Sequence, residues 1–303
     1  MDPSASFSSP SQAVLLELIL LGREHVLAVF PTGSGKTTLI FLLARMYALG
    51  KVIIVVLPLL SLHDDMHRRA RLQGLKAAKF NAYEEFDRHA NIVTVQVEAL
   101  GTQGFKSYMA SLVAENALYR IVCDEIHKPL TDIHFREAFG QLHTLNLFRT
   151  QIIGFTATLP PTLVRPLSEI TNVQWHLLRQ PSNRKELKFS IRRLPPTKVI
   201  DAAVQLAKAT VENSKREERV LVYCNSKASC ESVAEKIGCD FYHAGSDAAV
   251  VEDFLAGKHR ALVCTTALNS GFHHESVSLV IQIDIPYSLL DLLQAFGRGG
   301  RNG

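Results

Sequence analysis

Short apolar runs recur along this chain, each followed by a longer stretch of mixed polarity. Residues 26–30 (VLAVF), 51–58 (KVIIVVLP), 91–97 (NIVTVQV), 119–123 (YRIVC) and 151–158 (QIIGFTAT) are rich in β-branched side chains. Such near-continuous runs predict parallel strands buried on both faces, because a strand with one wet face alternates apolar and polar positions instead. The intervening segments predict helices over residues 11–21, from 36 onward, and over 63–72, 106–117 and 135–145. Residues 181–197 (PSNRKELKFSIRRLPPT) break the pattern with charge and proline, which marks a linker. Beyond it the alternation resumes. Helices are expected over 198–211, 228–237, 247–255 and 288–296, and strands over 219–224, at Asp240, and over 261–266 and 278–285. The prediction is an α/β chain of two doubly wound parallel-sheet domains, 1–180 and 198–303.

Length agrees with that division, since 303 residues suffice for two cores. A composition of 47% hydrophobic and 20% charged residues excludes a disordered chain. The net charge of +4 permits a polyanionic partner without demanding one. Five cysteines without CxxC spacing signal no structural zinc, and their odd number fits reduced thiols inside a cell. Residues 14–21 (VLLELILL) are too short to span a bilayer, carry Glu17 and follow no basic region, so neither an anchor nor a signal peptide is expected. A soluble, intracellular protein with no membrane partner is the expectation.

Chemistry concentrates at the ends of the apolar runs. After residues 26–30, Pro31 stops the strand. Thr32, Gly33, Ser34 and Gly35 follow as a loop of small residues, and Lys36, Thr37 and Thr38 open an apolar helix. Glycines let backbone N–H groups converge on phosphate oxygens, and the helix N-terminus adds partial positive charge. Lys36 reaches outer phosphates and Thr37 offers a Mg²⁺ ligand. The strand-to-helix setting separates this loop from an ordinary glycine turn, although Phe30 stands where the general motif has glycine. Residues 119–123 end on Asp124, Glu125, Ile126 and His127. Two carboxylates there suit a Mg²⁺ ligand (Asp124) and a base for an attacking water (Glu125). Thr156 and Thr158, in GFTAT, could simply be capping groups. Arg298 and Arg301, spaced by glycines after the last helix, can present planar bidentate donors to a phosphoryl group. His243 and the pair His273–His274 lack acidic or cysteine neighbours at ligand spacing, so core or loop roles are expected of them.

As an ordered set these motifs resemble the two-domain motor of superfamily-two helicases, and most closely the RecQ family of DNA helicases. Residues 7–12 resemble that family's adenine motif, with Gln12 at the base-reading glutamine. Residues 31–38 match its phosphate loop, 58–62 its PLLSL stretch and DEIH at 124–127 its DEAH box. Residues 156–158 match its TAT motif. VYC at 222–224, YHAG at 242–245, residues 265–277 and residues 294–303 match the motifs of its second domain. The resemblance implies tandem RecA-like domains that bind ATP and Mg²⁺ and move 3′ to 5′ on single-stranded or partly duplex DNA, in a nucleus if the source is eukaryotic. It also implies nucleic-acid contact or coupling by Pro58, Ser61, His127, Phe135, Arg136, Thr156, Thr158 and Thr265. Two features depart from the family. The aromatic loop lacks its tryptophan, the chain's one Trp being Trp175, and His273 replaces the aspartate of motif five.

Those departures leave a second possibility, a clamp that binds ATP and nucleic acid with little turnover; a flat ATPase response to single strands would identify it. An RNA helicase is disfavoured by PLLSL, YHAG and DEIH, and a small-molecule kinase by a second domain ending in GRGGR. The two arginines generate a prediction of their own. Arg301→Ala should slow ATP turnover far more than it weakens ATP binding, and equal losses in a paired rate and titration experiment would remove the phosphoryl-contact role.

Overall fold

The structure, a computed structural model, describes residues 6–7, 9–31, 33–47, 50–58, 60–81, 90–132, 137–181, 186–247, 249–269 and 276–300. The chain divides into two compact units, Met1–Ser182 and Asn183–Gly303. The first comprises α1 (Pro10–Leu21), β1 (His25–Val29), α2 (Lys36–Met46), β2 (Val52–Leu57), α3 (Leu60–Leu72), β3 (Ala77–Lys79) and β4 (Ile92–Gln96). It continues with α4 (Gln103–Ala114), β5 (Leu118–Cys123), α5 (Lys128–Asp132), β6 (Ile152–Thr156), α6 (Val164–Thr171) and β7 (Trp175–Arg179). Its seven strands form one sheet in the order β3-β4-β2-β5-β6-β1-β7, with parallel pairing throughout.

Every residue of β2 is buried, as its unbroken apolar run requires. Along β1 the side chains alternate between two cores, following the twofold period of a strand. Leu27 and Val29 join Phe105, Met109 and Leu112 of α4 on one face. Val26 and Ala28 join Leu15 and Ile19 of α1 and Leu39 and Leu43 of α2 on the other. The sheet is therefore sandwiched by helices, as its apolar runs imply.

The second unit comprises α7 (Pro196–Asn213), β8 (Arg219–Tyr223), α8 (Lys227–Ile237), β9 (Asp240–Tyr242), α9 (Ala249–Ala256), β10 (Ala261–Cys264), β11 (Val277–Gln282) and α10 (Leu289–Phe296). Its four parallel strands run in the order β11-β8-β10-β9. Cores again lie on both faces, one holding Val220 and Val222 with α8, the other Leu221 and Tyr223 with Phe254 of α9. All five cysteines are free thiols, and four of them are buried. Among the described residues no helix is long and apolar enough to cross a membrane.

Three local differences from the sequence pattern have physical causes. The segment read as a helix over 135–145 is instead a run of 3₁₀ turns, Glu137–Phe148. Its buried apolar residues Phe139, Leu142 and Leu145 recur every three positions, and a threefold helix stacks i and i+3 where an α-helix would rotate them apart. Helix α4 starts earlier than its apolar residues suggest because Thr102 caps it, accepting a hydrogen bond from the Phe105 N–H at 3.2 Å. Strand β7 carries a half-exposed, partly charged sequence, WHLLR, that shows no strand signal, yet it pairs with β1 along its whole length. Short β3 and helices α5 and α6 likewise lacked a pattern.

Gly154 of β6 sits where a side chain would be crowded. A Cβ there would lie 3.2 Å from both Ile126 Cγ2 and Leu27 Cδ1 and 3.4 Å from Trp175 Cη2. Gly154→Val should destabilise the first unit by about 1–3 kcal/mol through overpacking. Urea unfolding should show this as a lowered midpoint for that unit with the second unit's transition unmoved.

Candidate nucleotide site

The carboxyl edge of β5, β6 and β1 carries the chemistry, since parallel pairing delivers all three strand ends to the same side. Beyond β1, the Phe30 N–H donates to the Thr156 carbonyl at 3.0 Å, so the loop departs from a fixed point on β6. Gly33 and Gly35 have φ of +82° and +81°, the left-handed region that a side chain penalises, which explains glycine at both positions. Gly35 is the N-cap of α2, and no side chain caps that helix. Its first N–H groups thus face the loop as anion donors. Lys36 Nζ donates to the carbonyls of Phe30 at 2.8 Å and Pro31 at 3.0 Å, which folds the ammonium over the loop's entrance.

Asp124 follows β5 and is held by its own N–H, which donates to the Val56 carbonyl at 3.1 Å. Its Oδ1 accepts from the Glu125 N–H at 3.0 Å. Burial, reinforced by the adjacent Glu125 charge, pushes the Asp124 carboxyl up to about 6, against the opposing pull of Lys36. Glu125 adopts φ +49°, uncommon for a residue with a side chain. Backbone strain of that kind concentrates where geometry is functional.

The next turn links the acid pair to the TAT segment. His127 is 1% exposed, and its Nδ1 lies 3.3 Å from Glu125 Oε2 and is hydrogen-bonded to Thr156 Oγ1 at 2.9 Å. Thr156 Oγ1 also accepts from the Thr158 N–H at 3.1 Å. One buried imidazole therefore connects the end of β5 to the end of β6. Lys36, Asp124, Glu125, His127, Thr156 and Thr158 are brought to one edge, with Thr37 half-buried on the first turn of α2 and Thr38 exposed beside it. Gln12 is buried on the first turn of α1, where its N–H donates to Ser9 Oγ at 3.3 Å. Pro58 is buried after β2 at the same edge. Thr32, Phe135, Arg136, His273 and Arg301, and the side chain of Ser61, lie outside the described residues.

In the second unit, Thr265 follows β10, and its N–H donates to the Tyr242 carbonyl at 3.1 Å. Arg298 follows α10 half-buried, and its positive charge is felt at the thiol of Cys264, the last residue of β10. His243 pairs with Glu231 at 3.0 Å and with Ser246 at 3.2 Å.

Two units of parallel sheet, one bearing a glycine phosphate loop beside a strand-end acid pair, define the class of P-loop nucleotide-binding proteins. The comparisons narrow this. Residues 9–165 match the DEAD/DEAH box helicase model and residues 199–303 the helicase conserved C-terminal domain, so the chain belongs to the DEAD/DEAH box helicase family. Its curated relatives are RecQ-family enzymes, in agreement with the motif reading. The putative ATP-dependent DNA helicase Q1 of Caenorhabditis elegans is 26% identical, covering 94% of this chain and 49% of the relative. The ATP-dependent helicase SGS1 of Saccharomyces cerevisiae is 25% identical over 97% of this chain and 22% of its own length. The chain thus spans half or less of these relatives. The helicase Lhr of Mycobacterium smegmatis, solved bound to ssDNA and AMP-PNP, superposes with a TM-score of 0.68 at 22% identity, over 97% of this chain and 44% of that one; it shares the fold of tandem RecA-like domains.

A group the motifs did not flag lies under the PLLSL stretch. His63 and His67, one turn apart on α3, both hydrogen-bond Thr94 Oγ1 of β4, each at 2.8 Å. The i, i+4 histidines were the available signal, since that spacing puts both on one helix face. His63 is buried, and its Nε2 meets no hydrogen-bond partner among the described residues. Burial, with help from Lys79 and His67 and against Asp64 and Glu98, lowers its pKa to about 4, and burial lowers His67 as well. The unfolded chain takes up a proton near the ordinary value of about 6.5, whereas the folded chain resists it. Stability present above that value is therefore lost as pH falls from about 6.5 towards 4. The raised Asp124 carboxyl acts with the opposite sign over the same range, so the histidine's slope, a loss on the order of 2–3 kcal/mol, is read by difference from a variant that lacks it. His63→Asn, which keeps a polar atom near the Nδ1 position, should flatten that slope.

Proposed function

We propose that this chain is the motor core of a RecQ-type DNA helicase, hydrolysing ATP to move 3′ to 5′ along single-stranded DNA and separate a duplex ahead of it. The domain assignment that goes with it is 1–180 and 198–303, joined by 181–197. The observation that carries the reading is the His127 bridge. A side chain that touches Glu125 on one side and Thr156 on the other lets a change at the acid pair be felt at the TAT segment, which is what coupling hydrolysis to a bound strand requires. The names of the relatives, ATP-dependent DNA helicases, support the same substrate pair.

The residues present fit a magnesium nucleotide. Left-handed glycines and the open start of α2 suit phosphate oxygens, and the raised Asp124 carboxyl, crowded by Glu125, is the kind of site that a cation relieves. Thr37 and Asp124 would hold Mg²⁺, which when bound neutralises charge on the outer phosphates. Gly33, Ser34, Gly35 and Thr38 would surround the phosphates, together with Thr32, and Gln12 would face the base. Lys36, held over the loop entrance, would move from backbone carbonyls to the outer phosphate. Glu125 would orient the attacking water and accept its proton, while Arg298 and Arg301 would meet charge on the phosphoryl group in transfer. Pro58, Ser61, Phe135, Arg136 and Thr265 would contact or sense the strand.

Purified chain should hydrolyse ATP faster when single-stranded DNA is added and should open a duplex with a 3′ tail in preference to a 5′ tail. Glu125→Gln should cut turnover by about 10²–10⁴-fold while ATP still binds, and Lys36→Ala should lose both. Substantial DNA-stimulated turnover in Glu125→Gln would sink the base assignment. A flat ATPase response with DNA binding retained would replace the motor with the clamp.

A further inference from the structure

The strand with no sequence signal, β7, ends beside the phosphate strand. Arg179 stands opposite Val29, the last residue of β1, and the Gln180 N–H donates to the Val29 carbonyl at 3.0 Å. Val29 directly precedes Phe30, whose carbonyl receives Lys36. Gln180 is buried, and its side-chain Nε2 donates to Ser9 Oγ at 2.6 Å. Ser9 is the N-cap of α1, and the same Oγ accepts from the Gln12 N–H. Two hydrogen bonds from one buried residue thus join the end of the phosphate strand to the first turn of α1. Next to it, Arg179 Nη2 donates to the Leu159 carbonyl at 2.6 Å, which fixes the β7 end to the segment following Thr158.

We propose that Gln180 is a positioning residue for the purine base of the nucleotide. Acting through Ser9, it sets the first turn of α1, and with it Gln12, at a fixed offset from the loop that holds the phosphates. The inference rests on the reading of residues 33–38 as the phosphate site and of Gln12 as the base-facing residue. Its chemical consequence is selective. A triphosphate that carries a base feels the offset, and a triphosphate without one does not. A brace that merely stabilised the fold would affect both alike.

Calorimetric titration of the full chain with ATP and with inorganic tripolyphosphate separates these cases. Gln180→Leu removes the donor at similar volume, and Ser9→Ala removes the acceptor with little loss of packing. Each should weaken ATP by on the order of tenfold, the scale set by one buried hydrogen bond left unmade, and leave tripolyphosphate unchanged. Ser9→Ala also removes the cap on the Gln12 N–H, so the double variant should bind ATP no worse than Ser9→Ala alone. Equal weakening of ATP and tripolyphosphate, additive losses, or undiminished ATP affinity in either variant would overturn the inference while leaving the phosphate site standing. Should the unmodified chain bind neither ligand, the phosphate-site reading falls and the inference with it. Thermal unfolding of each variant shows whether the fold is intact, and if Gln180→Leu fails to fold, Gln180→Met, which also lacks the donor, takes its place.

Discussion

The ladder that joins β5, β6 and β1 continues past the strands themselves, and most of the site depends on that continuation. The Ile126 N–H donates to the Phe155 carbonyl at 2.9 Å, and the Phe30 N–H to the Thr156 carbonyl at 3.0 Å. Their donors already lie outside regular structure, while their acceptors belong to β6. They prolong sheet geometry into the acid turn and into the entrance of the phosphate loop. Positions otherwise left to flexible connections are thereby set by the stiffest part of the unit. Side chains placed on such a frame need little reordering when a ligand arrives, and that saving is a main source of affinity. Gly154 is part of the same arrangement, because its missing side chain lets Ile126 and Leu27 close over β6.

Polar groups at this edge are costly, and the structure offsets the cost in recognisable ways. Asp124 and Glu125 are neighbours here, and the Glu125 charge adds to burial in raising the Asp124 carboxyl. Lys36 opposes that effect, and the Glu125 N–H supplies a hydrogen bond to the carboxylate. His127 is buried against a threonine hydroxyl and a carboxylate, so the imidazole stays satisfied as it bridges two motifs. The second histidine group, on α3, follows the same logic with one shared hydroxyl. There burial of His63, whose Nε2 meets no hydrogen-bond partner among the described residues, favours the neutral ring.

Sequence alone carried most of the first unit's sheet, because strands buried on both faces announce themselves as apolar runs; β1, β2, β4, β5 and β6 all did. It failed where another constraint acts. Among the described residues strand β7 pairs with β1 alone, and its side chains remain half exposed, so WHLLR needed no apolar pattern. The 3₁₀ run over Glu137–Phe148 has a period of three, which a helical reading at 3.6 residues per turn blurs. Chemically expressive residues such as Lys36, Asp124, Glu125 and Thr156 were legible because their order along the chain is itself informative. Ser9, Thr94 and Gln180 were not. Each is an ordinary polar residue whose importance comes from a partner 31 or 171 positions away.

The left-handed backbone at Glu125 has a consequence for how this position tolerates change. Glycine, and to a lesser degree asparagine or aspartate, adopts that conformation with less strain than glutamate does. None of them carries a carboxylate at the same reach. Conformational preference and chemical need therefore pull in opposite directions at a single codon. With Glu125 in the proposed base role, a library selected only for heat resistance would drift towards the relaxed residues here and accumulate well-folded proteins that cannot turn over. On that proposed role, retention of glutamate would report selection for catalysis and not for folding, which makes residue 125 a sensor of what a given selection has rewarded.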